Sequence, residues 1–149
     1  MHMSKLIDLL KEDNVSLPNV LYHFTTPENF IKILNSDKIK AHSKFNQISF
    51  TEDPELWAFQ EHPDSNQEIG VRLKFETDSL PPVKPFIYKG APGEEYEYEQ
   101  EWTTNSGDID DIEGRIIGSG TLELTALEYW KDYLKKNTPP HIFRMIEFI

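Results

Sequence analysis

Three short stretches set side chains capable of chemistry beside strongly apolar ones: YHFTT at residues 22–26, ISFTED at 48–53 and DIEGRIIG at 111–118. The first places His23 at the end of a β-branched and aromatic run, directly before Thr-Thr-Pro and a helical pattern. A neutral imidazole there can donate one hydrogen bond to a ligand hydroxyl and hold it still. The second carries the hydroxyls of Ser49 and Thr51 with Phe50 between them, able to fix a second polar contact. The third supplies Glu113, and another acid, Glu101, stands in EYEQEW. A carboxylate in a partly dry cleft stabilises positive charge that develops beside it. Each residue also has a plainer reading. His23 can be a core histidine satisfied by a backbone carbonyl, Ser49 and Thr51 can close a strand and cap the Asp53-Pro54 turn, and Glu113 can be one more solvated acid.

Other chemistries find little support. The chain has no cysteine, hence no thiol nucleophile, disulfide or zinc–thiolate site. His23, His42, His62 and His141 are scattered, with no i, i+4 pair for a metal. GDIDDIEG resembles a calcium loop only in its acids, because Ile112 stands where a third ligand is required and Glu113 where glycine is. No glycine-rich phosphate loop or nucleophile elbow is present. No metal site is therefore expected.

The elements that must position these residues follow from pattern. The 149 residues, 38% hydrophobic, suit one domain spanning 1–149 with a single core. His2 between two methionines reads as a cloning remnant, with Met3 as the native start. SKLIDLLKED, 4–13, predicts an amphipathic helix. Val20–Phe24 predicts a strand, and Thr26 with Pro27 predicts a capped helix carrying Phe30, Ile33 and Leu34 and closed by Asn35-Ser36-Asp37. Gln47–Thr51 predicts a second strand, and residues 54–60 one or two helical turns. In EIGVRLKFE, Ile69, Val71, Leu73 and Phe75 alternate with Gly70, Arg72 and Lys74, which predicts a strand with one buried face. Lys84–Tyr88 predicts a strand after the Pro81-Pro82 break. Arg115–Leu124 predicts two strand pieces about Gly118–Gly120. Thr125–Glu128 reads as a capping box for a helix carrying Leu127, Trp130, Tyr133 and Leu134, and Ile142–Phe148 as a last strand. Trp57, Trp102 and Trp130 are expected to pack in the core or at its rim. This order predicts an α+β domain, not the regular alternation of a doubly wound sheet.

Charge is distributed unevenly. The net charge is −11, and between Lys89 and Arg115 there are nine acids and no base. That block, residues 94–113, predicts a long solvated loop, and the rest of the chain is nearly balanced. A broad basic footprint for nucleic acid is missing. No run approaches the ~20 apolar residues of a membrane span, and no basic-then-apolar leader opens the chain. A cytoplasmic protein without a membrane partner is expected.

Together the three stretches resemble the ADP-ribosyltransferase-like fold. The likeness is greatest to small phage and bacterial proteins of YHFT type, with a short IL-bearing helix, a serine–threonine strand and a late acidic piece. DNA-targeting ADP-ribosyltransferase toxins and RNA 2′-phosphotransferases share that fold and its split NAD site. The resemblance covers most of residues 20–118 and implies a split β-sheet with short flanking helices. It implies NAD as substrate, with His23 holding its ribose and Thr25 following where the backbone meets the ligand. Ser49 and Thr51 would brace the nicotinamide side, and Glu113, or Glu101, would support an oxocarbenium-like transition state. Glu52 stands where many relatives carry an arginine for pyrophosphate, and Gly114 where a second acid is expected. The rival class is a non-catalytic acidic binding protein, docking a basic partner or imitating nucleic acid through residues 94–113.

Overall fold

Val71, Leu73 and Phe75 alternate with Arg72 and Lys74, and this period of two builds the centre of the molecule. The computed structural model describes residues 16–42, 44–55, 69–89 and 96–149. In it those three apolar side chains are fully buried in β4, Val71–Glu76. β1, Val20–Thr25, runs antiparallel beside β4 in unbroken register from Val20–Glu76 to Thr25–Val71. Directly opposed residues share a face. Leu21, His23 and Thr25 therefore lie on the core side with Phe75, Leu73 and Val71, while Tyr22 and Phe24 lie on the other with Lys74 and Arg72.

β8, Leu122–Ala126, pairs antiparallel with β4, and β9, Ile146–Phe148, adds to β8 in parallel. On the other side of β1 stand β3, Ile48–Thr51, then β6, Tyr96–Thr104, and β5, Val83–Lys89. The result is a seven-stranded sheet in the order β5-β6-β3-β1-β4-β8-β9. β2, Lys38–Ile39, and β7, Ile109–Asp110, form a separate two-stranded ribbon.

Helix α1, Pro27–Ser36, follows β1 after one residue. Thr26 Oγ1 accepts the Asn29 amide at 3.1 Å, Pro27 takes the first helical position, and Asp37 ends the helix in a left-handed conformation at φ 56°. Its buried side chains, Pro27, Phe30 and Ile33, join the core with Leu21, Leu73 and Phe75. Two short helices, α2 (Lys131–Asn137) and α3 (Pro140–Phe143), lead into β9. The architecture is α+β: a large, mostly antiparallel mixed sheet with a few short helices.

Several local expectations give way to tertiary pairing. The acidic block is not one loop: residues 96–104 form β6, paired with β5 on one side and β3 on the other. YEYEQEW alternates with the period of a strand, which the charge of every second residue masks. Ile69 is not in β4 but lies before it, half-buried. Between them Gly70 passes so close to Trp130 that a Cβ there would lie 2.6 Å from the indole nitrogen. Gly114–Gly118 is a π-helical turn, closed by the Ser119 amide on the Gly114 carbonyl at 2.9 Å, where a strand piece is expected. Thr125 does not cap a helix. It pairs with Arg72 inside the sheet, and α2 starts only after a 3-10 turn at Glu128–Trp130. The last strand shrinks to Ile146–Phe148 because the chain after Pro139 turns helical first. The expected helix over 4–13, Trp57 and the turns beyond residue 55 lie outside the described residues.

Candidate functional site

β1 and β3 meet at a single residue pair, Tyr22–Thr51. Beyond it the strands part, and the His23 side chain stands in the fork. Its Nδ1 lies 2.9 Å from the Ser49 carbonyl oxygen, and its ring packs tilted against Phe50 with centroids 5.8 Å apart. A carbonyl only accepts, so Nδ1 carries the hydrogen and donates. The imidazole thus takes the place of a β1 amide in the interrupted ladder, which is the bland role read from sequence. The other nitrogen, Nε2, has no protein partner among the described residues. In the neutral ring it is a lone pair, so the group left open at His23 is an acceptor, where a donor was expected. Burial pushes the His23 pKa below its ordinary 6.5, and the bond to Ser49 opposes this only in part. The ring is neutral at pH 7.

The fork opens to two clefts that share His23. One, of about 360 Å³, has Ser49, Thr51 and Glu101 as its polar wall and Tyr22, Phe50 and Ile69 as its apolar wall. Register explains the grouping. Tyr22 opposes Thr51, and Thr51 opposes Glu101, so the three form a row across β1, β3 and β6 on the face away from the core. Ile48 and Phe50 point to the core, leaving Ser49 and Thr51 on that outer face. A bulge sits at the acid. The β5–β6 register jumps from Pro85–Trp102 to Ile87–Tyr98, and Gln100 adopts φ 62° in mid-strand. The Glu52 amide holds the bulge by donating to the Gln100 carbonyl at 3.1 Å.

The second cleft, of about 590 Å³, lies toward α1 and β2 and is lined by Lys32, Lys38 and Lys40.

The structure brings His23, Ser49, Thr51 and Glu101 together and leaves two expected residues apart. Thr25 is buried, and its Oγ1 accepts from Asn29 Nδ2 at 2.7 Å, tying β1 to α1. Glu113 lines neither cleft beside His23. It precedes the π-helical turn, where its Oε1 lies 2.8 Å from His141 Nε2 and its amide donates to Asp37 Oδ1 at 2.9 Å. The late acidic piece thus docks on the C-terminal end of α1 and on α3, away from the fork. A second acid in place of Gly114 would strike the Asp111 carboxylate. Thr51 does what its plainer reading predicts, accepting the Asp53 amide at 3.1 Å.

Tyr22, Ile69 and Arg72 escaped sequence reading as site residues. Arg72 stands over the Tyr22 ring at 5.4 Å and donates through Nη1 to the Pro54 carbonyl at 2.7 Å, bracing the turn after β3. The Arg72–Lys74 alternation marks an outer face but not what that face supports.

Among the described residues no three histidine, aspartate or glutamate side chains are placed to share a metal ion, and no helix is long and apolar enough to cross a membrane. No family model, curated protein or solved structure matches the chain.

Proposed function

We propose that this protein acts on the nicotinamide–ribose bond of NAD, or on a related ADP-ribose-type ligand, as an ADP-ribosyltransferase-like enzyme. The observation that carries the reading is the meeting of a neutral β1 imidazole, two strand hydroxyl residues and one carboxylate at a fork in the sheet. The YHFT and ISFT stretches supply the first three, as the resemblance implies. Glu101, not Glu113, supplies the carboxylate.

In this reading the ribose seats at His23, with a sugar hydroxyl donating to Nε2. When the glycosidic bond breaks, its electron pair leaves with the nicotinamide nitrogen, which becomes neutral, and positive charge passes to the ribose carbon and ring oxygen. Glu101 faces that charge from the outer face, beside the apolar side chains of Tyr22 and Ile69, which lower the local dielectric and strengthen the attraction. An acceptor nucleophile then bonds to the ribose carbon and passes its proton to solvent. The hydroxyl of Ser49 and the aromatic wall favour a planar, polar-edged group such as the nicotinamide amide.

Within the acidic block, part of the backbone and one carboxylate are engaged in the fold. Residues 96–104 are a paired strand, and Asp108 Oδ1 accepts the Ala41 amide at 2.8 Å. Calorimetry with NAD and with ADP-ribose, run beside a nicotinamide-release assay, tests the proposal. Binding of either ligand with release dependent on Glu101 is expected. Absence of both binding and release overturns it.

A further inference from the structure

The cleft on the α1 side of His23 has a charge out of keeping with the rest of the chain. The protein carries a net charge of −11, yet Lys32, Lys38 and Lys40 line this cleft, and no carboxylate among the described residues does. Local structure puts the amines together. Asn29, Lys32, Ile33 and Ser36 form one stripe of α1 at i, i+3, i+4 and i+7, and Lys38 and Lys40 follow at i, i+2 on extended chain. Ile33 is buried at the floor, and His23 closes the wall shared with the Glu101 cleft.

The lysines are not tied up by neighbouring acids. None is in an ion pair with a described carboxylate. Asp37, between helix and ribbon, accepts the Glu113 amide, and Asp110, opposite Lys38 in the ribbon, makes no ion pair with it. Three unpaired ammonium groups around one concavity repel one another, and an anion between them removes that repulsion. Lysine binds phosphate as a mobile point charge.

We propose that this cleft binds a phosphate or pyrophosphate group, held by Lys32, Lys38 and Lys40. The source is either the pyrophosphate of a dinucleotide whose ribose seats at His23, a case that rests on the function proposed above, or a separate phosphate-bearing small molecule.

Inorganic pyrophosphate is the probe. In calorimetry it binds the wild-type protein, more weakly as salt rises. Combined Lys32→Gln, Lys38→Gln and Lys40→Gln substitution weakens binding by ~10-fold or more, while Lys135→Gln with Lys136→Gln, on exposed α2, leaves it unchanged. Amide chemical shifts on titration move at Lys32, Ser36, Lys38 and Lys40. ADP-ribose separates the sources. A parallel loss of ADP-ribose affinity in the triple variant assigns the cleft to the dinucleotide, and unchanged ADP-ribose affinity assigns it to a second ligand. No pyrophosphate binding to the wild type, or equal loss in the α2 control, overturns the proposal. Pyrophosphate binding that persists with neither NAD or ADP-ribose binding nor nicotinamide release leaves this site standing and removes the enzymatic reading instead.

Discussion

Glu101 and Glu113 come from the same acidic stretch, and the fold gives them opposite surroundings. Glu101 is half-buried in a row with Tyr22 and Thr51, on a strand paired from both sides, and no cation among the described residues pairs with it. Glu113 is exposed just before a π-helical turn and bonded to His141. A carboxylate spent on a neighbouring side chain has little to offer a developing cation. One held beside apolar side chains without a counter-charge has more. The pair teaches that in an acid-rich chain, strand register and not residue type decides what a carboxylate faces.

The largest effect is expected at Glu101. Glu101→Gln keeps shape and removes charge, so nicotinamide release should fall ~10²-fold or more, with ADP-ribose affinity nearly unchanged. Equal rates for this variant and the wild type in single-turnover assays would dissolve the contrast between the two glutamates. Next is His23→Ala. It removes the group common to both clefts and should weaken ADP-ribose binding ~10-fold or more in calorimetry, with the fold retained by circular dichroism.

A pH experiment sharpens the role of burial. The unfolded histidine takes its proton near pH 6.5, while folded His23 resists protonation to lower pH. Below pH 6.5 the unfolded state therefore binds more protons, and stability falls as pH drops through that range. His23→Gln should flatten this part of the urea-melt stability curve relative to wild type, and superimposable slopes would place the imidazole in open solvent. The smallest effect is expected at Glu113→Gln. An exposed hydrogen-bonded pair contributes roughly 0–1 kcal/mol, so melting and nicotinamide release should both stay close to wild type.

Much of the sheet was legible because its central strands are amphipathic. Val71, Leu73 and Phe75 announce β4 by alternation, and Thr26-Pro27 announces α1 by its cap. β6 was not, since a strand that is acidic at every second position looks like a solvated loop until partners on both edges are known. His23, Ser49 and Thr51 were legible as polar residues within apolar strands. Choosing between the glutamates was beyond sequence, because the choice depends on a bulge at Gln100 and on which strand lies beside β3. The lysine cleft was equally hidden. Its members belong to a helix and to an extended segment, and each alone is an ordinary surface lysine.

The lone Tyr22–Thr51 pair also has a mechanical meaning. β1 is laced to β4 along its whole length and β3 to β6 likewise, so the sheet is two stiff panels joined by one backbone stitch. Among the described residues side chains cross the seam too, such as the imidazole bond to Ser49, the Arg72 bond to the Pro54 carbonyl and the edge-on contact of Phe50 with Phe75, centroids 5.7 Å apart. Amide hydrogens near such a seam exchange through small openings that leave each panel intact. Deuterium uptake should therefore run faster in residues 48–51 than in 71–76, and a ligand that spans the fork should close most of that gap by acting as the missing stitches.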